Sequence, residues 1–121
     1  MAVIKVEVYR NLHQDNWSVR AQKTGIVIDH VPYICIKNAK LIVRPGGRKR
    51  VIEEQRKNVH AFIRGVADLD NGPSNQELHR ISYNPYKNES FILKDTDDSI
   101  KWADNVFLDS NGVGWVYGKY N

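Results

Sequence analysis

One cysteine among 121 residues excludes an intrachain disulfide framework and any metal site built from several thiolates. Cys35 sits in the run YICI, where a small buried hydrophobe is the expected role. The four histidines (His13, His30, His60 and His79) fall at no HxH or HxxxH spacing, so no metal and no cofactor is implied. No stretch reaches the apolar length of a membrane span. The start MAVIKVEVYR lacks the basic, apolar and small-residue succession of an export signal, so a cytoplasmic domain with no membrane partner is expected. Neither GxxxxGK[ST] nor GxSxG occurs. Catalysis therefore has little support, and the protein is expected not to be an enzyme. His60 and His13, as general acid or base, are all that a nucleotide-processing enzyme would have to work with.

What the sequence does hold is charge in one place. The chain carries +4 overall, but between Arg44 and Arg64 seven Lys or Arg stand against only Glu53 and Glu54, a local excess of five. Clustered charge of one sign concentrates counter-ions and anionic partners. The bland alternative is a solvated helix face with no ligand, and the residues leave both readings open. RPGG before RKR also presents glycine backbone N–H groups at an expected helix start, a weak anion signal.

A chain of this length is expected to form one domain, residues 1–121. VIKVEVYRNL alternates apolar and polar residues, NWSVRA follows the turn-like HQDN, and Gly25 ends the next turn. IVIDHV, YICIK and AKLIV are β-branched runs parted by Pro32 and an expected Lys37-Asn38 turn. Residues 1–43 thus read as a first antiparallel meander. RKRVIEEQRK reads as a short amphipathic helix, ending near Lys57, and a strand is expected from about Val59. Residues 44–69 form this basic helix and strand, 70–80 a polar loop, and 81–121 a second β unit. The expected fold class is α+β: mostly antiparallel β, one central amphipathic helix and two similar β units. The similarity aligns Asn11 with Asn84, His13 with Tyr86, Trp17 with Phe91, Arg20 with Lys94 and Tyr33 with Phe107, 73 to 74 residues apart; convergent hairpin chemistry explains it equally well.

RKNVHAFIRG, residues 56–65, contains both a basic patch and an apolar strand edge. In a strand His60, Phe62 and Arg64 share one face and Val59, Ala61 and Ile63 the other; in a helix His60 and Arg64 again align, four apart. YNPYKN, Tyr83 to Asn88, offers two rings, two amides and a lysine. Rings for a base, cations for phosphates and amides for base or ribose edges are what a nucleotide requires. An ordinary turn with aromatics covering the sheet is the competing reading, and Trp17, Phe91 and His60 each have a structural role available.

RNLHQDNWSV, GRKRVIEEQRKNVHAFIRG and YNPYKNESF, in that order, resemble a family of small bacteriophage proteins, the sponges that disarm the Thoeris defence system. The resemblance implies a non-enzymatic, homo-oligomeric protein that binds and hides a cyclic ADP-ribose isomer, so that the downstream effector stays inactive. Some members also hold cyclic oligonucleotides of the CBASS system. It further implies stacking on adenine and basic contacts to the pyrophosphate. The matching motifs carry this to Arg56, Lys57, Asn58, His60 and Arg64, to Tyr83, Asn84, Tyr86, Lys87 and Phe91, and to Lys119 near the carboxyl end. A small cyclic nucleotide is the partner so implied, and nucleic acid is not the favoured one. The rival function is a small basic inhibitor that binds a host defence protein or nucleic acid.

Overall fold

Residues that alternate in character every second position can bury one side of a strand and leave the other to solvent. The computed structural model, which describes residues 3–11, 13–45, 59–68, 78–83, 91–93 and 99–121, places most of them in strands. These are β1 (Val3–Asn11), β2 (Asn16–Ala21), β3 (Val27–Val31), β4 (Ile34–Pro45), β5 (Val59–Asp68), β6 (His79–Ser82), β7 (Phe91–Leu93), β8 (Ser99–Ile100), β9 (Trp102–Leu108) and β10 (Gly114–Tyr120). They join in one sheet, in the order β3-β2-β1-β5-β4-β9-β10-β6-β7-β8, and every pairing is antiparallel.

This corrects the expected α+β class. Among the described residues there is no helix, and the two β units expected on either side of one are halves of a single sheet. β4 and β5 pair down to Pro45↔Val59, so the chain between them closes a long hairpin. The helix expected up to Lys57 falls on residues 46–58, which lie outside the described residues. The strand expected from Val59 is present, and the helical alternative for Val59 to Val66 is not. The first meander is also shorter than expected: β1, β2 and β3 are consecutive neighbours, whereas β4 leaves them to pair with β5 and β9.

The expected Lys37-Asn38 turn lies inside β4 as a bulge. Asn38 has a φ of 51°, and the β4–β5 register shifts between Lys37 and Lys40. Asparagine tolerates this left-handed backbone better than most residues. Opposite the bulge stands Gly65, where an added Cβ would lie 2.5 Å from Ile36 Cγ2 and 2.6 Å from the Lys37 carbonyl oxygen. The glycine that closes RKNVHAFIRG is thus required by close approach of β4.

The sheet rolls so that its two halves share one core. Val6, Val8, Trp17 and Val19 from β1 and β2 belong to the same buried cluster as Ile81, Phe91, Leu93, Val106, Leu108 and Val116 from the far half. Trp17 stacks on Tyr83 at 6.3 Å and 23°, and its Nε1 donates to the Asp109 carbonyl at 2.9 Å. β2 and the β9–β10 connection are distant in strand order, so these contacts exist only because the sheet curls.

Candidate ligand-binding face

Residues directly opposite one another in an antiparallel pair project on the same side, so the registers assign faces. Ile63, Gly65 and Ala67 of β5 turn inward and are buried. Phe62, Arg64 and Val66 turn outward. From Arg64 a row of opposed residues extends both ways: Arg20↔Glu7, Glu7↔Arg64, Arg64↔Lys40 and Lys40↔Trp102. A second row reads Lys5↔Val66, Val66↔Lys37, Lys37↔Asn105 and Asn105↔Tyr117. A third reads Cys35↔Phe107, Phe107↔Trp115 and Trp115↔Arg80.

The outer face therefore gathers Lys5, Arg20, Lys37, Lys40, Arg64 and Arg80 with Trp102, Phe107 and Trp115. Its acids are Glu7 within the rows, Asp68, opposite Val3, and Asp109, whose carboxylate meets Trp115. Glu7 is committed. Its Oε1 accepts from Arg20 Nε at 2.9 Å, and its Oε2 accepts from Arg64 Nε at 3.1 Å and Nη2 at 2.9 Å. One carboxylate between two guanidiniums leaves the group with a net positive charge. The Glu7 side chain is 10% exposed, but those of Arg20 and Arg64 are 30% and 34% exposed, so the cations present an edge to solvent while the acid does not. The guanidiniums also lie on rings, Arg20 at 4.9 Å from the Phe62 centroid and 5.5 Å from that of Tyr9, Arg64 at 5.8 Å from Phe62. Such contacts hold a flexible side chain in place. Lys5, Lys37 and Lys40 are exposed and have no carboxylate partner among the described residues.

The rings of this face are similarly fixed. Trp115 Nε1 donates to Asp109 Oδ2 at 2.9 Å, and Arg80 lies 5.8 Å from its ring centroid. Phe107 meets Tyr33 at 6.0 Å and 55°, and Tyr33 is 57% exposed. Trp102, Phe107 and Trp115 are each partly exposed.

Two groups that might suggest chemistry prove structural. Ser18 Oγ lies 2.9 Å from His30 Nδ1, but Ser18 is fully buried. Asn11 Nδ2 donates to the same oxygen at 3.2 Å, and the trio pins β3 to β2. Cys35 is buried, its sulfur in hydrogen-bond contact with the Tyr117 hydroxyl. Burial pushes the thiol above its ordinary value, away from the thiolate that reactivity needs. Among the described residues no three His, Cys, Asp or Glu side chains gather as a metal-binding group.

Of the residues expected to bind a ligand, Arg64 stands on the outer face. His60 lies on β5 opposite Arg44. Tyr83 and Phe91 do not join Arg64: both pack on the core side, in edge contact with each other at 5.7 Å, and Phe91 is fully buried. Burial raises the Tyr83 phenol well above its ordinary value. Lys119 is exposed on β10, two strands removed from β5's neighbour β4, and its backbone N–H donates to Asp104 Oδ2 at 3.0 Å. Arg56, Lys57, Asn58, Asn84, Tyr86 and Lys87 lie outside the described residues. The cations that do meet Arg64 in space, Arg20 and Lys40, are more than twenty residues from it in the chain, and only the alternation within each strand could have nominated them.

No helix among the described residues is long and apolar enough to cross a membrane. No solved structure matches the chain. The Gene 82 protein of Mycobacterium phage L5 is 37% identical over 119 residues, covering 91% of this chain and 94% of that protein. A family profile described as Mycobacterium phage L5 gene 82 protein matches residues 1–116, and the chain belongs to that phage family.

Proposed function

We propose that this phage protein is a non-catalytic binding protein that takes a nucleotide ligand on the outer face of its sheet and withholds it. The observation that carries the reading is the row of opposed residues Arg20, Glu7, Arg64, Lys40 and Trp102. It sets cations for phosphate beside a ring for a base, on the side of the sheet that the core does not use. In its finer form the ligand is a cyclic nucleotide immune signal, with a cyclic ADP-ribose isomer as the first candidate, and the effector stays inactive because the signal is held rather than cleaved. Tyr83 and Phe91 have no part in this form, since their rings are in core contacts; Trp102 and its neighbours supply the stacking surface instead.

The test incubates the full chain with cyclic ADP-ribose isomers, follows free ligand by chromatography, and then heats the complex. Depletion followed by recovery of intact ligand is expected. Recovery of a converted product would make the protein an enzyme, and absence of depletion would remove the cyclic nucleotide.

A further inference from the structure

The outer face is too long for one nucleotide. Between β1, which carries Lys5, and β10, which carries Trp115, lie β5, β4 and β9. At about 4.8 Å per strand this is roughly 19 Å, and successive outward residues along one strand stand about 7 Å apart. A mononucleotide placed on Trp115 leaves Arg64 and Lys37 unused; placed on Arg64 it leaves Phe107 and Trp115 unused. The face is also the outside of a rolled sheet, so it curves away from a ligand instead of enclosing it. A compact ligand uses only part of such a surface, whereas an extended chain can follow all of it.

We propose that the outer face binds single-stranded nucleic acid, laid across the strands, with phosphates on Arg64, Lys40 and Lys37 and bases on Trp102, Phe107 and Trp115. The inference rests on the reading that this face takes nucleotide chemistry, and it gives the ligand a polymeric form. Charge complementarity selects a polyanion: the lysines are exposed and without carboxylate partners among the described residues. The rings select unpaired bases, since a duplex keeps its base faces stacked on one another. Trp115 is held by Asp109, so little rotamer freedom is lost when a base stacks on it. No base-edge reader is needed, and recognition is by backbone and ring, independent of sequence.

The test titrates the full chain with oligothymidylates and oligouridylates of about 4 and about 16 nucleotides, the range a small β domain covers, with a duplex of the longer length, with AMP and with a cyclic ADP-ribose isomer. Anisotropy of labelled oligomers and quenching of tryptophan fluorescence report binding. The longer single strands are expected to bind at least tenfold more tightly than AMP or the short oligomers, and more tightly than the duplex. Log affinity should fall with log salt by about 0.7 per phosphate neutralised, so the K37A/K40A double variant should flatten the slope by roughly 1.4. Trp115→Ala should weaken binding by about 5-fold to about 150-fold, and Trp115→Phe, which keeps a ring and the fold, should recover most of it. If AMP or the cyclic nucleotide binds as tightly as the long strand, the extended path is overturned while the nucleotide reading stands. If the duplex binds as tightly as the single strand, stacking on the rings is overturned. If nothing binds, both readings fall.

Discussion

The two faces of the sheet are built from alternate residues of the same strands, yet they obey different rules. On the inner face Val6, Val8, Val19, Ile63 and Leu108 are buried among one another and around Trp17, where shape decides what fits, and a buried cation, Arg10, lies 5.0 Å from the Trp17 centroid. On the outer face rings are present as well, and two of them lie against charged groups: Phe62 with Arg20 and Arg64, Trp115 with Arg80 and Asp109. An aromatic residue is therefore no guide by itself to the side it occupies. Its place in the strand register is the guide, and the inner face should control stability while the outer face controls binding.

The sharpest break of this division is expected from Trp17→Ala. It removes the largest fully buried side chain and its hydrogen bond to Asp109, and should lower stability by about 3–5 kcal/mol in a denaturant titration. A loss under about 1 kcal/mol would mean that the two halves of the sheet do not depend on this contact. Glu7→Gln tests the one outer residue that belongs to both regimes. Taking the charge from a buried carboxylate that serves two guanidiniums should cost about 1–3 kcal/mol, yet polyanion affinity should rise, because Arg20 and Arg64 are released. Falling stability together with falling affinity would contradict the assignment.

The alkaline limb of stability reports on buried phenols of both faces. Tyr83 and Tyr117 both have phenol groups raised above the ordinary value of 10.0 by burial. The folded state then holds these protons more tightly than the unfolded chain, so their neutral forms cost nothing below pH 10 and stability falls as pH rises above it. Tyr83→Phe should make that decline shallower in melting curves above pH 10; an unchanged slope would show that the Tyr83 phenol is not what titrates. The smallest effect is expected from replacing Lys37 and Lys40 together by alanine. Both side chains are exposed, so melting should shift by no more than about 0.5 kcal/mol in stability, and a large loss would make them part of the scaffold.

Strands were the legible part of this sequence. The alternation through Val6 and Val8, the β-branched runs of β4 and the strand beginning at Val59 all follow from period-two patterning. The candidate site was less legible, for physical reasons. RKNVHAFIRG displayed its charge because its cations are adjacent in the chain, but sheet pairing brings Arg64 together with Arg20 and Lys40, which are remote in it. YNPYKN looked like a binding loop because its rings are adjacent in sequence; whether Tyr83 faces in or out is decided by Trp17, sixty-six residues earlier. The helix was expected from an amphipathic pattern in RKRVIEEQRK, while the residues that flank it, Pro45 and Val59, pair as a hairpin.

Asn38 makes the chain sensitive to length in a way that composition hides. Lys37 and Lys40 are three residues apart and would point to opposite sides of a regular strand; the extra residue at the bulge resets the phase, so they oppose Val66 and Arg64 on one side. Losing a single codon there would be harsher than most substitutions. It would keep Lys40 on the outer side, two residues from Lys37 as in a regular strand, but would break the β4–β9 register, in which Lys37↔Asn105, Ala39↔Ala103 and Lys40↔Trp102 run through the bulge without a shift. Insertions and deletions in descendants of this gene should accordingly collect in the tight connections, such as Gln22 to Gly25, and be purged from the middle of β4.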